Sequence, residues 1–180
     1  MRHQPPLKNG PPTLAEPLPI ATPAPASSSS GLLHAGQVFV SSRGQSVVII
    51  LGSCVAVCMW DPAQGIGGAT HYMLPTWDEK GTPSPRYGNV AISMLLQKLL
   101  AAGAVRAQLR AKIFGGGCLF DSMREPNANK SQHLGCRNVD IALEVLAKAQ
   151  IPVISTEVGG DRGQRIVFCS DTGHSLRNFL

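Results

Sequence analysis

The sequence predicts a single α/β domain of the α+β kind, with a mixed β-sheet sandwich core flanked by two main helices. Three observations predict it. The chain has 180 residues, 43% of them hydrophobic, enough for one buried core. Six or seven short runs rich in β-branched and aliphatic residues read as strands, and two longer segments carry apolar residues at helical spacing. Strands outnumber helices and no internal repeat is visible, so the helices are expected to cover a sheet.

Residues 1–34 are dominated by Pro, Ala and Ser and end near the serine run Ser27 to Ser30. Such a composition cannot bury enough apolar surface to offset the entropy of ordering it. This segment is read as a disordered leader, and residues 35–180 as the folded domain. Within the domain, residues 37–40 and the run SVVIIL at 46–51 are strand candidates. CVAVCMW at 54–60 is a third, ended by the turn pair Asp61-Pro62, and residues 66–74 return as its antiparallel partner before Pro75. Residues 76–88 are polar and broken by Gly81, Pro83 and Pro85, hence a loop. Residues 90–102 place Ile92, Leu95, Leu96, Leu99 and Leu100 on one stripe, and Gly103 stops that helix. A strand at 109–114 runs into Gly115-Gly116-Gly117, glycines that suit close backbone packing. A second helix is predicted over 139–148, capped by Asn138, with Val139, Ala142, Leu143 and Leu146 as its stripe. Ile141 and Val145 fall off the stripe, which implies burial on more than one side. Residues 151–156 and 165–169 complete the strands.

Composition excludes several function classes. The net charge of +5 comes from Lys and Arg scattered without a dense cluster or interleaved aromatics, which argues against nucleic acid. At most it favours an acidic protein partner. No apolar run approaches the roughly 20 residues of a membrane span, and prolines at 5, 6, 11 and 12 interrupt any secretion signal. Five irregularly spaced cysteines make a poor disulfide framework, so a cytoplasmic protein is expected.

The chemistry concentrates in LGSCVAVCMWDPAQGIGGATHYMLP at 51–75. Cys54 follows Gly52-Ser53 directly after a buried strand, where a sharp turn would present the thiol at the rim of the sheet. That turn would also aim the N–H groups of Gly52 and Ser53 at a developing oxyanion. A thiol with an ordinary pKa of about 8.5 needs a partner near neutral pH. His71, seventeen positions later, meets it if the intervening residues form a hairpin. A cysteine or histidine beside a strand is also a common core residue, so the residues by themselves point only as far as a thiol hydrolase. Cys54, Cys58, His71, Cys118, His133 and Cys136 lack the paired short spacing of a structural zinc site, and no metal is expected.

The same segment resembles the signature of the chemoreceptor glutamine deamidase family called CheD. The resemblance runs through LGSCVAVC at 51–58, Asp61-Pro62, GGATHYMLP at 67–75 and Tyr87-Gly88-Asn89. It continues in AKIFGGGCLF at 111–120, GCRNVDIALEVL at 135–146, Gly159-Gly160, Arg165 and Asp171-Thr172-Gly173. It spans about residues 36–175 and leaves the leader uncovered. It implies hydrolysis of selected glutamine side chains in the cytoplasmic helices of chemoreceptors (methyl-accepting chemotaxis proteins), giving glutamate and ammonia, with glutamyl methylesterase activity in some members. It implies Cys54 as nucleophile, His71 as base, no cofactor, and a CheC-type phosphatase as a second partner. Membership also implies a threonine five or six residues before the cysteine to orient the histidine. Ile49 and Val48 stand there instead, and Ser46 is the nearest upstream hydroxyl and the candidate third member. That departure keeps open a second reading, a weakly catalytic or inactive module acting through contact with receptors or the phosphatase. Chemistry alone would also permit a cysteine protease or acyltransferase.

Overall fold

The computed structural model describes residues 31–118 and 133–180. The bulk of the leader, residues 1–30, and the end of the AKIFGGGCLF motif, Leu119 and Phe120, lie outside the described residues. Among the described residues, nine strands and two α-helices form three layers. Strands β1 (Gly31–Leu32), β2 (Gln37–Ser41), β3 (Ser46–Leu51), β4 (Val55–Asp61) and β5 (Ile66–Tyr72) come first. Helix α1 (Gly88–Ala101), a 3-10 turn, β6 (Arg110–Gly115), α2 (Leu134–Lys148), β7 (Val153–Val158), β8 (Gln164–Cys169) and β9 (Ser175–Phe179) follow. One sheet has the order β1-β3-β8-β9 and the other β2-β5-β4-β6-β7. The architecture is α+β, with two mixed sheets packed face to face and no closed barrel.

Strand β4 shows why the sequence takes this form. All seven of its residues are buried, because it is central in the larger sheet and covered on both faces. Val55, Val57 and Met59 point into a core shared with Ile92, Leu95 and Leu99 of α1 and Ala142 and Leu146 of α2. Ala56, Cys58 and Trp60 alternate with them and face the other sheet, meeting Val47, Ile49, Leu51, Ile166 and Phe168. Two cores are therefore stacked on one strand, and the continuous apolar run at 54–60 is the trace of that double burial.

The elements differ from expectation in several places; strand β9 was not anticipated. The folded part extends N-terminally into the segment read as leader: Gly31 and Leu32 pair in parallel with Val47 and Val48, and Leu33 is buried. Helix α2 begins at Leu134, so Asn138 is not its N-cap; His133 occupies that position without a side-chain cap. The buried stripe of α2 is Gly135, Asn138, Ala142 and Leu146, while Leu143 is exposed. The earlier start supplies another turn whose inward face is set by Gly135, where an added Cβ would lie 2.4 Å from the Gly116 carbonyl oxygen. Among the described residues no helix is long and apolar enough to cross a membrane.

Candidate active site

Cys54 stands between β3 and β4, in the short connection that carries the chain from the smaller sheet to the larger. Its side chain is half-buried and packs against the core between the sheets. His71 lies on β5 directly opposite Ala56 of β4. Cys54, two residues before Ala56 and on the same face, is thus the diagonal neighbour of His71, a relation of about 7–8 Å in an antiparallel pair. The hairpin anticipated between them is the β4–β5 pairing.

The imidazole is fixed by backbone. Its Nδ1 lies 3.0 Å from the Leu33 carbonyl oxygen. A carbonyl only accepts, so Nδ1 carries the proton and donates, leaving Nε2 as the basic nitrogen. Nε2 is buried and has no hydrogen-bond partner among the described residues. Leu33 is itself held, its N–H donating to the Val48 carbonyl at 2.8 Å, and Gly36 N–H donates to the His71 carbonyl at 2.7 Å. Burial pushes the His71 pKa below its ordinary value; the Leu33 carbonyl opposes that shift and the nearby His34 adds to it. Burial pushes the Cys54 thiol up, and its own backbone N–H draws it back in part. At neutral pH the resting site therefore holds a neutral thiol and a neutral imidazole.

The other candidates are placed as follows. The Ser46 hydroxyl lies 3.2 Å from the Cys169 sulfur, opposite Cys169 in the β3–β8 register, so it is not brought to His71. Val48 is half-buried between the buried Val47 and Ile49, and Ile49 sits in the core between the sheets. The orienting acceptor on His71 is the Leu33 carbonyl, a main-chain atom with no signature in residue identity. Gly52 is not among the glycines of positive φ; Gly115 (95°) and Gly116 (66°), against which the loop packs, are. Gly116 N–H donates to the Cys54 carbonyl and Gly117 N–H to the Gly52 carbonyl, each at 2.8 Å. An added Cβ on Gly115 would lie 2.2 Å from the Cys54 carbonyl oxygen, so the triple glycine lets β6 close on the loop that carries Cys54. Among the described residues, the N–H groups of Gly52, Ser53 and Cys54 donate to no backbone carbonyl.

Sequence reasoning read Asn138 as a helix cap and missed its place beside the site. It is fully buried on α2, with Nδ2 3.1 Å from the Ser53 carbonyl oxygen and 3.0 Å from that of Met73. The signal was present: an amide at the spacing of Ala142 and Leu146 is a polar residue on a buried stripe. Among the described residues no three His, Cys, Asp or Glu are grouped to hold a metal ion.

Fold and site together define an α+β protein with a thiol and an oriented imidazole at the mouth of a two-sheet sandwich. Residues 73–178 match the family model described as CheD chemotactic sensory transduction. The chain is 40% identical to the probable chemoreceptor glutamine deamidase CheD 1 of Anaeromyxobacter dehalogenans over 162 residues, 90% of this chain and 91% of that one. It is 37% identical to the probable chemoreceptor glutamine deamidase CheD of Sulfurimonas denitrificans over 148 residues, 82% of this chain and 92% of that one. A third such protein, from Trichlorobacter lovleyi, is 38% identical over 141 residues, 78% of this chain and 84% of that one. This chain belongs to the CheD family. The family model begins two residues beyond His71, but the 90% of the chain aligned with the Anaeromyxobacter protein spans both Cys54 and His71.

Proposed function

We propose that this protein is a chemoreceptor glutamine deamidase in which Cys54 is the nucleophile and His71 the general base and acid. The observation that carries the residue assignment is the ring of His71, tied at Nδ1 to the Leu33 carbonyl with a buried Nε2, unpartnered among the described residues, on the thiol's side of the sheet. The names of the CheD relatives supply the substrate class.

In this reading a receptor glutamine places its side-chain Cδ beside Cys54. The sulfur attacks Cδ while Nε2 of His71 takes the thiol proton, and the carbonyl oxygen becomes an oxyanion held by N–H groups of the Gly52–Cys54 loop. The imidazolium then delivers its proton to the departing nitrogen, which leaves as ammonia, and a thioester remains. Water attacks the thioester as His71 removes its proton. The thiolate departs and is reprotonated, leaving glutamate. The route needs no cofactor, because amide hydrolysis moves no electrons to an acceptor. A glutamyl methyl ester could follow the same path with methanol as leaving group, and methylesterase activity is part of the proposal.

The neutral resting pair fits this order of events. With the thiol pKa raised and that of the imidazole lowered, proton transfer accompanies attack and does not precede it. The substrate lies in the cytoplasmic helices of a chemoreceptor, so the protein is proposed to work in the cytoplasm. Residues 31–180 are proposed as the catalytic domain, since Gly31 and Leu32 pair with β3 and Leu33 holds His71, with a leader before them. A CheC-type phosphatase is proposed as a second partner. The placement of Ser46 against Cys169, away from His71, favours the contact-only module as the rival reading. Mass spectrometry of a receptor cytoplasmic fragment, incubated with the native protein or with Cys54→Ala, separates the two. Glutamine-to-glutamate conversion by the native protein alone supports the deamidase. Receptor binding without conversion by either supports the contact-only module.

A further inference from the structure

Asn138 spends a fully buried amide on two main-chain carbonyls, where the same stripe of α2 elsewhere uses Ala142 and Leu146. Both carbonyls belong to the site. Ser53 immediately precedes the nucleophile and Met73 lies two residues beyond the base, so one NH2 group joins the two segments at 3.1 and 3.0 Å. Two acceptors on one side require the amide nitrogen there, which fixes the orientation of the group. Asn138 is itself anchored through its backbone: the Tyr72 hydroxyl donates to its main-chain carbonyl at 2.6 Å, and Gly135, one turn earlier, packs against the Gly116 carbonyl.

The consequence follows from peptide geometry. In a trans peptide the C=O of one residue and the N–H of the next point in opposite directions. Holding the Ser53 carbonyl toward α2 therefore turns the Cys54 N–H away from the helix. The same N–H donates to no backbone carbonyl among the described residues, so it is left to serve an oxyanion on the side of the loop away from α2.

We infer that Asn138 is a positioning residue that sets the oxyanion donor, turning the Cys54 N–H toward the reacting carbonyl while tying the nucleophile's loop to the strand of His71. This rests on the deamidase reading above and deepens it. Asn138 touches no reacting atom; it acts through the Ser53–Cys54 peptide.

The test compares two reactions of Cys54 in the full-length protein and in Asn138→Ala and Asn138→Asp. One is deamidation of a receptor cytoplasmic fragment; the other is alkylation by iodoacetamide, which builds no negative charge on a carbonyl oxygen at the thiol. Both rates are expressed per reactive thiol, so partly unfolded protein does not distort them. The expected result is a fall of about 10²-fold in deamidation kcat, with KM and the alkylation rate within about threefold of native. Deamidation and alkylation falling in parallel would reduce the amide to a structural support of the thiol and overturn the inference. Full deamidation in either variant would also overturn it, as would failure of both variants to fold, which would assign the amide to stability alone. A native protein that converts no glutamine would instead overturn the deamidase reading, and this inference with it.

Discussion

Cys54 and Cys58 are two thiols four residues apart on one face of one strand line, and the proposed mechanism gives them opposite chemical fates. Both pack into the core between the sheets. Register makes both of them diagonal neighbours of His71, one on each side of Ala56. The difference is depth. Cys58 is fully buried opposite Ala69 and Lys112, and burial drives its thiol pKa far up, with the Lys112 charge opposing it only in part. Cys54 is half-buried at the entrance to β4, where the chain has left β3 and its own N–H groups are not consumed by a ladder. In the proposed mechanism, proximity to a histidine is therefore not what singles out the nucleophile. The end of a strand supplies access and unpaired backbone donors that its middle cannot.

The comparison can be broken most severely at Cys54 itself. Cys54→Ala should lower deamidation by about 10⁴-fold or more, whereas Cys58→Ala should leave the rate within about threefold and cost about 1 kcal/mol of stability through the small cavity it leaves. A chemical denaturation curve beside the activity assay reads both. Next in size, His71→Ala should reduce kcat by about 10²- to 10⁴-fold while the fold persists. The pH dependence is a milder probe. Because burial lowers the His71 pKa, kcat/KM should hold level as pH falls through the ordinary histidine value near 6.5 and decline only below it, about tenfold per pH unit. A profile already half lost above that value would contradict the burial-shifted base. The smallest effects belong to β3. Ser46→Ala and Val48→Thr should each change activity less than about twofold, since Ser46 faces Cys169 and Val48 points away from the core that receives Ile49. A large gain from Val48→Thr, measured by initial rates, would restore a side-chain orienter in place of the Leu33 carbonyl.

Much of this was legible from residue pattern. The β4–β5 hairpin that brings His71 toward Cys54, the strands β2, β3, β6 and β8, and helix α1 all follow from apolar runs bounded by turn residues. What escaped has identifiable causes. Strand β1 is two residues long, and its sequence, Gly31-Leu32, carries no period to detect. Strand β9 is an edge strand whose residues are mostly exposed, so it lacks alternation. The first turn of α2 contains Gly135 and Cys136, weak helix formers that are kept there by packing against Gly116. At the site, the pair Cys54 and His71 was visible because side chains carry it. The acceptor on His71 was not, because it is the carbonyl of Leu33, and a main-chain atom is placed by fold alone. Asn138 lay between these cases: its residue type was noticed, but a helix started five residues late turned a buried clamp into a cap.

The central claim is that glutamine hydrolysis passes through a thioester on Cys54. A receptor fragment carrying a substrate glutamine can be mixed with the protein, quenched in acid within the first turnover, and digested for mass spectrometry of the peptide containing Cys54. The account predicts an adduct on Cys54, with the mass of the substrate less ammonia, that appears and decays as glutamate forms. Glutamate formation without any adduct at Cys54, or with the adduct on another cysteine, would contradict it.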